Sequence, residues 1–324
     1  MQMTTLGRSG LTVSRIAFGT WQLGGEWGSV DADEAKAAIR HARELGVNFF
    51  DTAQAYGFGE SERMLGEALR SELDRNRDSV IIATKGGINP GKEPARDSSR
   101  EWLRDGVHSS LDALGVDYID LYQVHWPDER TPYEDTAGYL QELVDEGLIR
   151  HVGVSNYDAE QMAAFAKVRP VETLQPPYHL FRRAIEDALL PHCIKNDIGV
   201  LVYSPLGSGL LTGRMSTDTT FEDDDWRSRA SAYTGEKLEQ NLAVVAELSR
   251  FAEDRGLHVS QLAIAWTLAK PGVHVAIVGA RSRSNIERSL AAADVQLSDE
   301  DVAEIERIAE RGVQVEGASP EGVV

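Results

Sequence analysis

Eight short segments rich in valine and isoleucine recur along this 324-residue chain, and amphipathic segments lie between them. The apolar runs are residues 15–19, 47–51, 80–85, 118–125, 150–155, 172–175, 199–204 and 274–279. The clearest segments with apolar residues at helical spacing are 33–45, 61–73, 98–114, 134–146 and 158–167. Strands that alternate with helices form parallel sheets, and eight such units close into a barrel. The chain is therefore predicted to be an α/β protein with a (β/α)8 barrel.

The two ends of the chain and its longest loop add to this prediction. Residues 4–13, turned by glycines, precede the first barrel strand and are predicted to form a β-hairpin that caps the barrel floor. No linker rich in Gly, Ser or Pro divides the chain, so residues 1–324 are interpreted as a single domain with an irregular tail from about 312. Residues 204–235 form a long polar segment, and such segments in compact domains are usually functional lids.

The composition excludes several classes of partner. The chain has 52 acidic and 33 basic residues, a formal net charge of -19, and no basic cluster, so no nucleic-acid partner is expected. Cys193 is the only cysteine, which excludes an intramolecular disulfide and zinc clusters built on several thiolates, and no metal site is predicted.

The start lacks a signal-peptide pattern and no run of about 18 apolar residues occurs, so a cytoplasmic protein without a membrane partner is expected.

Titratable side chains stand where successive predicted strands end. Asp51 ends the second strand, Lys85 the third and His125 the fourth, and Tyr56 lies in the loop after Asp51. Each has an ordinary structural explanation, as a turn former, an exposed lysine or packing at a rim. Because the carboxyl ends of barrel strands surround one mouth, the four side chains are expected to converge there. An ammonium beside a phenol lowers the tyrosine pKa from about 10, and a carboxylate keeps the lysine protonated.

These side chains suit proton donation to a carbonyl oxygen. Tyr56 would be the general acid, and His125 a second donor that orients the same oxygen. The chain has no His-Glu-x-x-His spacing and no Gly-x-Ser-x-Gly elbow, which argues against metalloprotease or hydrolase chemistry. A carbonyl that is protonated without nucleophilic attack needs hydride from a cofactor. Residues 207–213 come closest to a dinucleotide fingerprint, but their third glycine is one position late, so a nucleotide would bind in a non-Rossmann manner.

Seven motifs, in their order and spacing, resemble the aldo-keto reductases nearly from end to end. They are Phe18-Gly19-Thr20-Trp21, Asp51-Thr52-Ala53-x-Ala55-Tyr56-Gly57, Ala83-Thr84-Lys85, His125-Trp126-Pro127, Gly153-Val154-Ser155-Asn156, Tyr203-Ser204-Pro205-Leu206 and Gly279-Ala280-Arg281. Residues 205–213 look most like the bacterial branch of the family. The resemblance implies NADPH-dependent reduction of aldehydes and ketones, with Tyr56 as the proton donor. The implied catalytic tetrad is Asp51, Tyr56, Lys85 and His125.

The resemblance also implies where the cofactor binds. Ser155, Asn156 and Gln175 would hydrogen-bond the nicotinamide carboxamide, and Tyr203 would stack on the ring. The remaining implied cofactor contacts are Gly19, Thr20, Trp21, Asp51, Ser204, Leu206, Gly209, Gly279, Arg281, Arg283 and Asn285. Ser204, Leu206 and Gly209 belong to the pyrophosphate end, and residues 279–285 to the adenosine end, where residues 284 and 285 are also expected to cap a helix.

The adenosine end departs from the family pattern. Many members have Ile-Pro-Lys-Ser followed by an arginine, whereas residues 277–280 of this chain read Ile-Val-Gly-Ala. Arg281 and Arg283 could replace the lost charge, because arginine binds phosphate with two donors at once. The expected cofactor is therefore NADPH/NADP+, with NAD(H) left open.

Aromatic residues in the loops around the predicted mouth indicate a partly apolar substrate pocket. Trp21, Tyr56 and Trp126 are predicted to line it. The wider rim is predicted to include Trp27, Phe58, Trp226 and Tyr233. The partner would be a small aldehyde, ketone or aldose, and the oligomeric state is left open.

Other functions remain as alternatives. An aldose or polyol dehydrogenase, working in the oxidative direction with NAD(P)+, would use the same site. The family also includes potassium-channel β subunits, so a nucleotide-sensing accessory subunit is a second alternative. A barrel hydrolase with two carboxylates is disfavoured, because Asp120 and Glu172 lie within or at the start of strands.

Overall fold

Eight parallel strands close into a barrel. The computed structural model describes residues 1–24, 31–222, 225–280 and 282–315. An antiparallel hairpin, β1 (Met3–Thr5) and β2 (Thr12–Ser14), comes first. The barrel strands are β3 (Ile16–Gly19), β4 (Phe49–Asp51), β5 (Ile81–Gly86), β6 (Ile119–Val124), β7 (Ile149–Ser155), β8 (Thr173–Gln175), β9 (Gly199–Val202) and β10 (Val275–Gly279). Each pairs in parallel with the next, and β10 also pairs with β3, which confirms the predicted fold.

Helices pack around the outside of the barrel. They are α1 (Ala32–Glu44), α2 (Glu60–Ala68), α3 (Arg70–Arg75), α4 (Arg100–Leu114), α5 (Tyr133–Asp145), α6 (Ala159–Phe165), α7 (Leu189–Lys195), α8 (Gly235–Glu253), α9 (Val259–Ala269), α10 (Arg283–Ala291) and α11 (Asp299–Ala309). None of these described helices is long and apolar enough to cross a lipid bilayer.

The helix predicted over residues 61–73 is in fact two helices. A turn at Leu69, with φ -101° and ψ 10°, separates α2 from α3. The turn brings the guanidinium of Arg70 to the last carbonyls of α4, where it donates to Leu114 O (2.8 Å) and Gly115 O (2.9 Å). These hydrogen bonds to a distant helix accompany the break between α2 and α3. The spacing of apolar residues alone does not predict this break.

The alternation of side chains along each strand positions the functional residues. Phe49 and Ala83 belong to the apolar cluster inside the barrel, whereas Phe50 packs outward in the core beneath the helices. Because side chains alternate with a period of two, residues two positions further along face the interior as well. Asp51 and Lys85 stand at those positions, at the carboxyl ends of β4 and β5.

The N-terminal hairpin closes the opposite end of the barrel, as predicted. Leu6 and Val13 are fully buried and belong to the interior cluster. Gly199, at the start of β9, permits this close approach, because a Cβ at that position would lie 2.7 Å from Leu6 Cγ.

The described part of residues 204–234 contains short 3₁₀ helices before α8 begins. These are Gly207–Thr212, Trp226–Ser228 and Ser231–Tyr233. Tyr233, predicted on the rim of the mouth, is instead buried in the outer core, because its hydroxyl donates to Gly207 O (3.0 Å) and its ring packs edge-on against Trp226. Trp27, also predicted on the rim, lies outside the described residues.

Candidate active site

Four buried side chains meet at the carboxyl ends of β4, β5 and β6. They are the predicted tetrad, Asp51, Tyr56, Lys85 and His125. Lys85 Nζ lies 2.6 Å from Asp51 Oδ1 and donates to Thr52 O (2.9 Å) and Tyr56 Oη (3.3 Å). An ammonium has three donors, and these contacts account for all of them. The lysine is thus held as a charged bridge between a carboxylate and a phenol oxygen.

The ring of Tyr56 contacts two other rings. The imidazole of His125 packs edge-on against it, with 5.7 Å between ring centroids and 80° between planes. The Trp21 ring lies 6.3 Å from it, centroid to centroid. The backbone N–H of His125 donates to Gly86 O (2.9 Å), which continues the pairing of β5 and β6 beyond the end of the strand. The backbone position of His125 is therefore fixed by the pairing of β5 with β6.

Amide side chains surround the ion pair on the side of β7, β8 and β9. Gln175 Nε2 donates to Asp51 Oδ2 (2.8 Å), so each oxygen of that carboxylate accepts a hydrogen bond. Asn156 has φ +63°, in the left-handed region, which directs its amide back to the mouth. Its Nδ2 donates to His125 O (3.1 Å), and its Oδ1 accepts from Tyr203 Oη (2.9 Å). This network joins the catalytic side of the mouth to the residues predicted to bind nicotinamide.

A cleft of about 400 Å³ runs from Tyr56 to the first turn of α10. Most of the predicted cofactor residues line it. These are Gly19, Trp21, Asp51, Gln175, Tyr203, Ser204, Leu206, Gly209, Gly279 and Asn285. A Cβ on Gly279 would lie 3.1 Å from Gln22 Cδ, and one on Gly19 would lie 2.7 Å from Ile277 Cγ2. The two glycines therefore allow the strand ends to pack closely against Gln22 and Ile277 at the edge of the cleft.

Several predicted contacts do not line this cleft. Thr20 is fully buried, and its N–H donates to Asp51 O (2.9 Å). Ser155 is also buried, and its Oγ donates to Gln175 O (2.8 Å). Because their polar groups are used within the barrel wall, both residues support residues of the mouth from behind.

Trp126 and Arg283 also lie outside the lining. The ring of Trp126 is half-buried, with the Arg96 guanidinium 4.7 Å from its centroid. Arg283 is exposed as the first residue of α10, and Arg281 lies outside the described residues. Ser282 is the N-cap residue of α10, so the predicted caps at 284 and 285 were wrong, and those residues lie in the first turn.

The comparisons with known proteins agree with this geometry. The family model for the Aldo/keto reductase family matches residues 15–310. The chain belongs to this family. It is 40% identical to the aldo-keto reductase YhdN of Bacillus subtilis, over 97% of this chain and 95% of that protein. It is 34% identical to a probable voltage-gated potassium channel subunit beta of Arabidopsis thaliana, over 91% and 92% of the two chains.

A solved structure shows the same fold. The glycerol dehydrogenase AKR11B4 from Gluconobacter oxydans matches with a TM-score of 0.87 and 38% identity, covering 99% of this chain and 97% of that chain. As an aldo-keto reductase, the protein is an oxidoreductase that acts on carbonyl or alcohol groups with a nicotinamide nucleotide.

Motif analysis missed the cations at the far end of the cleft of this aldo-keto reductase. Arg214 and Arg288 line that end, and Arg214 Nη2 donates to Asn285 Oδ1 (3.0 Å). Burial, followed by the positive charges of Arg288 and Arg214, holds the pKa of the nearby His258 below its ordinary value. Residues three apart share one helix face, so the spacing of Asn285 and Arg288 could have identified Arg288. Arg214 lies in a loop, so no helical spacing could have identified it.

A third cation, Arg227, was also missed. It lines the cleft beside Ser208, donating from Nη1 to Ser208 O (3.1 Å). Its Nη2 pairs with Asp225 Oδ2 at 2.6 Å. The arginine thus fastens the later part of residues 204–235 to the 3₁₀ turn at the edge of the cleft.

Proposed function

We propose that this protein reduces aldehydes and ketones to alcohols with NADPH, and that Tyr56 is the general acid. The observation that carries the proposal is the bridge from Asp51 through Lys85 Nζ to Tyr56 Oη, with distances of 2.6 and 3.3 Å. A phenol oxygen that accepts a hydrogen bond from a buried ammonium is stabilised when its own proton leaves. The site therefore favours proton donation from Tyr56 at the barrel mouth.

The side chains of the mouth have separate roles in this reaction. When bound, a nicotinamide nucleotide would supply the hydride that a carbonyl carbon needs. The carbonyl oxygen receives the proton of Tyr56. Lys85 holds the resulting phenolate until solvent returns the proton, and Asp51 keeps the lysine charged. His125, next to the phenol ring, is assigned as the second donor that orients the carbonyl oxygen.

The lining of the cleft fits an extended nucleotide. We assign Gln175, which lines the cleft, to the nicotinamide end, since its amide supplies both donors and an acceptor. Asn156 and Ser155 do not line the cleft, and we assign them to support this end from behind, because Asn156 Oδ1 accepts from Tyr203 Oη (2.9 Å) and Ser155 Oγ donates to Gln175 O (2.8 Å). Ser204, Leu206 and Gly209 are assigned to the pyrophosphate. These three residues line the same cleft as Tyr56 and Gln175.

The choice of NADPH over NADH rests on the far end of the cleft. Arg214 and Arg288 line it, and guanidinium groups bind phosphate through charge-assisted, often bidentate hydrogen bonds. An extra phosphate on the adenosine would thus meet two cations. Arg283 is exposed at the start of the same helix and does not line the cleft.

Replacement of Tyr56 by phenylalanine tests the proposed acid. Tyr56→Phe is expected to lower kcat for aldehyde reduction by at least about a hundredfold, because general acid catalysis contributes about 10²–10⁴-fold. The Kd for NADPH, measured by fluorescence titration, is expected to stay within about twofold. Tyr139→Phe on α5 is the matched control and should behave as wild type. A wild-type kcat in Tyr56→Phe would refute the assignment.

A second candidate function is oxidation of a polyol with NAD(P)+, and the similarity to a glycerol dehydrogenase structure favours it. Steady-state rates on aldehydes, ketones and aldoses with NADPH and NADH, compared with rates on polyols with both oxidised nucleotides, separate the two directions. A protein that binds nucleotide but turns over none of these compounds would instead support a nucleotide-sensing role.

A further inference from the structure

A buried carboxyl group that the proposed reaction does not use lies behind the barrel wall. Glu62, in the first turn of α2, is fully buried. Its Oε1 accepts a hydrogen bond from Thr84 Oγ1 (2.5 Å), and Ser110 of α4 lies beside the same carboxyl group. The pKa of Glu62 lies above its ordinary value, because burial outweighs the opposing effects of these hydroxyl groups and of the charge of Lys85, so the carboxyl group becomes charged only as pH rises. Because burying a carboxyl group is costly, its position calls for an explanation.

Glu62 is connected to both members of the proton-donating pair. Thr84 directly precedes Lys85 on β5, so their side chains face opposite sides of the barrel wall. The hydroxyl of Thr84 reaches outward to Glu62, while the ammonium of Lys85 reaches inward to Tyr56. The N–H of Ser61, next to Glu62, donates to Tyr56 O (3.3 Å) at the end of the tyrosine loop. The same turn of α2 therefore holds the loop of the acid and the strand of the lysine.

We propose that Glu62 is a positioning residue for the proton donor, a second carboxylate that flanks Lys85 from outside the barrel and supports the charge of the ammonium bound to Tyr56. Asp51 acts on Lys85 by direct contact inside the barrel. Glu62 acts through Thr84 and through its charge. The inference rests on the proposed function, because it concerns the acid strength of Tyr56.

The charged groups near Glu62 leave Lys85 as its main electrostatic partner. Arg63, on the same helix, pairs at the surface with Glu60 (2.7 Å). Tyr122 of β6 also faces the carboxyl group, but burial, followed by the charge of Glu62, holds the pKa of Tyr122 well above its ordinary value, so the phenol is neutral. A negative charge at Glu62 raises the pKa of a nearby ammonium and of a nearby phenol alike. Above the raised pKa of Glu62, where the carboxyl group is charged, this charge therefore keeps Tyr56 protonated to higher pH.

The pH dependence of kcat in Glu62→Gln tests this role. Glutamine keeps the shape and an acceptor for Thr84 but removes the charge. The alkaline limb of the kcat profile for carbonyl reduction is expected to move to lower pH by about half a pH unit to one pH unit. The Kd for NADPH should stay within about twofold, since Glu62 does not line the cleft. A matched control is Glu67→Gln on the same helix, where Glu67 pairs with Lys36 of α1 at the surface (2.9 Å), and its profile should equal that of wild type.

Two substitutions of Thr84 keep the test decisive if Glu62→Gln does not fold. Thr84→Val removes the hydroxyl that stabilises the carboxylate, so its alkaline limb should also move to lower pH. Thr84→Ser keeps the hydroxyl and should retain the wild-type limb. Equal profiles for the two Thr84 variants, or an unmoved limb in folded Glu62→Gln, would overturn the role of Glu62. Full activity in Tyr56→Phe would refute Tyr56 as the acid, and the role of Glu62 with it. A Tyr56→Phe protein without activity, together with an unmoved limb in Glu62→Gln, would refute the role of Glu62 alone.

Discussion

At the scale of single residues, the central feature is a buried charge pair. Transfer of two charges from water costs several kcal/mol per ion unless the geometry compensates it. The structure supplies that geometry at Lys85, because Asp51, Thr52 and Tyr56 accept its hydrogen bonds. Asp51 in turn accepts from Gln175. The pair is satisfied without water, which suits a site where an ammonium must stay charged beside a phenol.

The cofactor preference is also decided by individual side chains. Arg288→Ala is expected to raise the Kd for NADPH by about tenfold or more, because a charge-assisted hydrogen bond contributes about 1.5–3 kcal/mol. The Kd for NADH should change by less than about twofold. Fluorescence titration with both nucleotides measures the two constants. Arg40→Ala, at an exposed position of α1, is the control for loss of one positive charge. Equal losses for NADPH and NADH would mean that Arg288 does not contact the extra phosphate.

At the scale of elements, residues 204–235 combine the edge of the cleft with part of the outer core. The backbone is left-handed at Ser204 (φ +55°), Gly207 (φ +54°), Ser208 (φ +49°) and Gly209 (φ +103°), so this turn follows an uncommon path. Tyr233 holds it from below through Gly207 O, and Arg227 holds it through Ser208 O. The turn at residues 204–209 is thus held by contacts with residues 227 and 233 of the same segment.

The hydroxyl of Tyr233 gives a direct test of this arrangement. Tyr233→Phe leaves the ring packing intact but removes the donor to the buried Gly207 carbonyl. The free energy of unfolding is expected to fall by about 1 kcal/mol, the usual net contribution of a hydrogen bond. Urea denaturation measures the change against Tyr139→Phe, for which no loss is expected. Unchanged stability in Tyr233→Phe would show that water replaces the tyrosine at Gly207.

At the scale of the whole molecule, the barrel separates a polar mouth from an apolar floor. The interior cluster extends from Leu6 and Val13 of the hairpin up to Tyr203 below the mouth. The hairpin completes this core, since without it the lower barrel residues would face solvent. The tetrad stands at the opposite end, so the hairpin that completes the core and the proposed active site lie at different ends of the barrel.

Opposite changes in stability are expected from glycine substitutions at the barrel floor and on a surrounding helix. In Gly199→Ala the new Cβ would lie 2.7 Å from Leu6 Cγ and 2.9 Å from the Leu6 carbonyl carbon, so the hairpin must shift. The expected loss is about 1–3 kcal/mol of unfolding free energy, typical of overpacking. In Gly138→Ala, on α5, the Cβ would have no neighbour within 4 Å, and a gain of about 0.5–1 kcal/mol is expected from helix propensity. Urea denaturation of both variants measures these changes in the free energy of unfolding. A Gly199→Ala protein as stable as wild type would show that the hairpin adapts freely.

The sequence by itself determined the barrel and the meeting of the tetrad, because both depend on local periodicity. Alternation with a period of two places Asp51 and Lys85 on the inner face, and parallel strands bring their carboxyl ends to one mouth. Only the tertiary structure decided which distant side chains complete the cleft. Arg214, from a loop, meets Asn285 of α10 (3.0 Å), although no local pattern links them.

The other differences between the predictions from sequence and the structure also arise from tertiary packing. The burial of Tyr233 and the contact between Glu62 and Thr84 depend on how helices and loops pack against the barrel wall. Periodicity predicts which face of an element is apolar, but it does not specify which polar atoms the packing brings together. For this protein, the positions of Asp51 and Lys85 at the barrel mouth follow from the order of the residues along each strand, and the surroundings of the proposed active site follow from tertiary contacts between segments far apart in the chain.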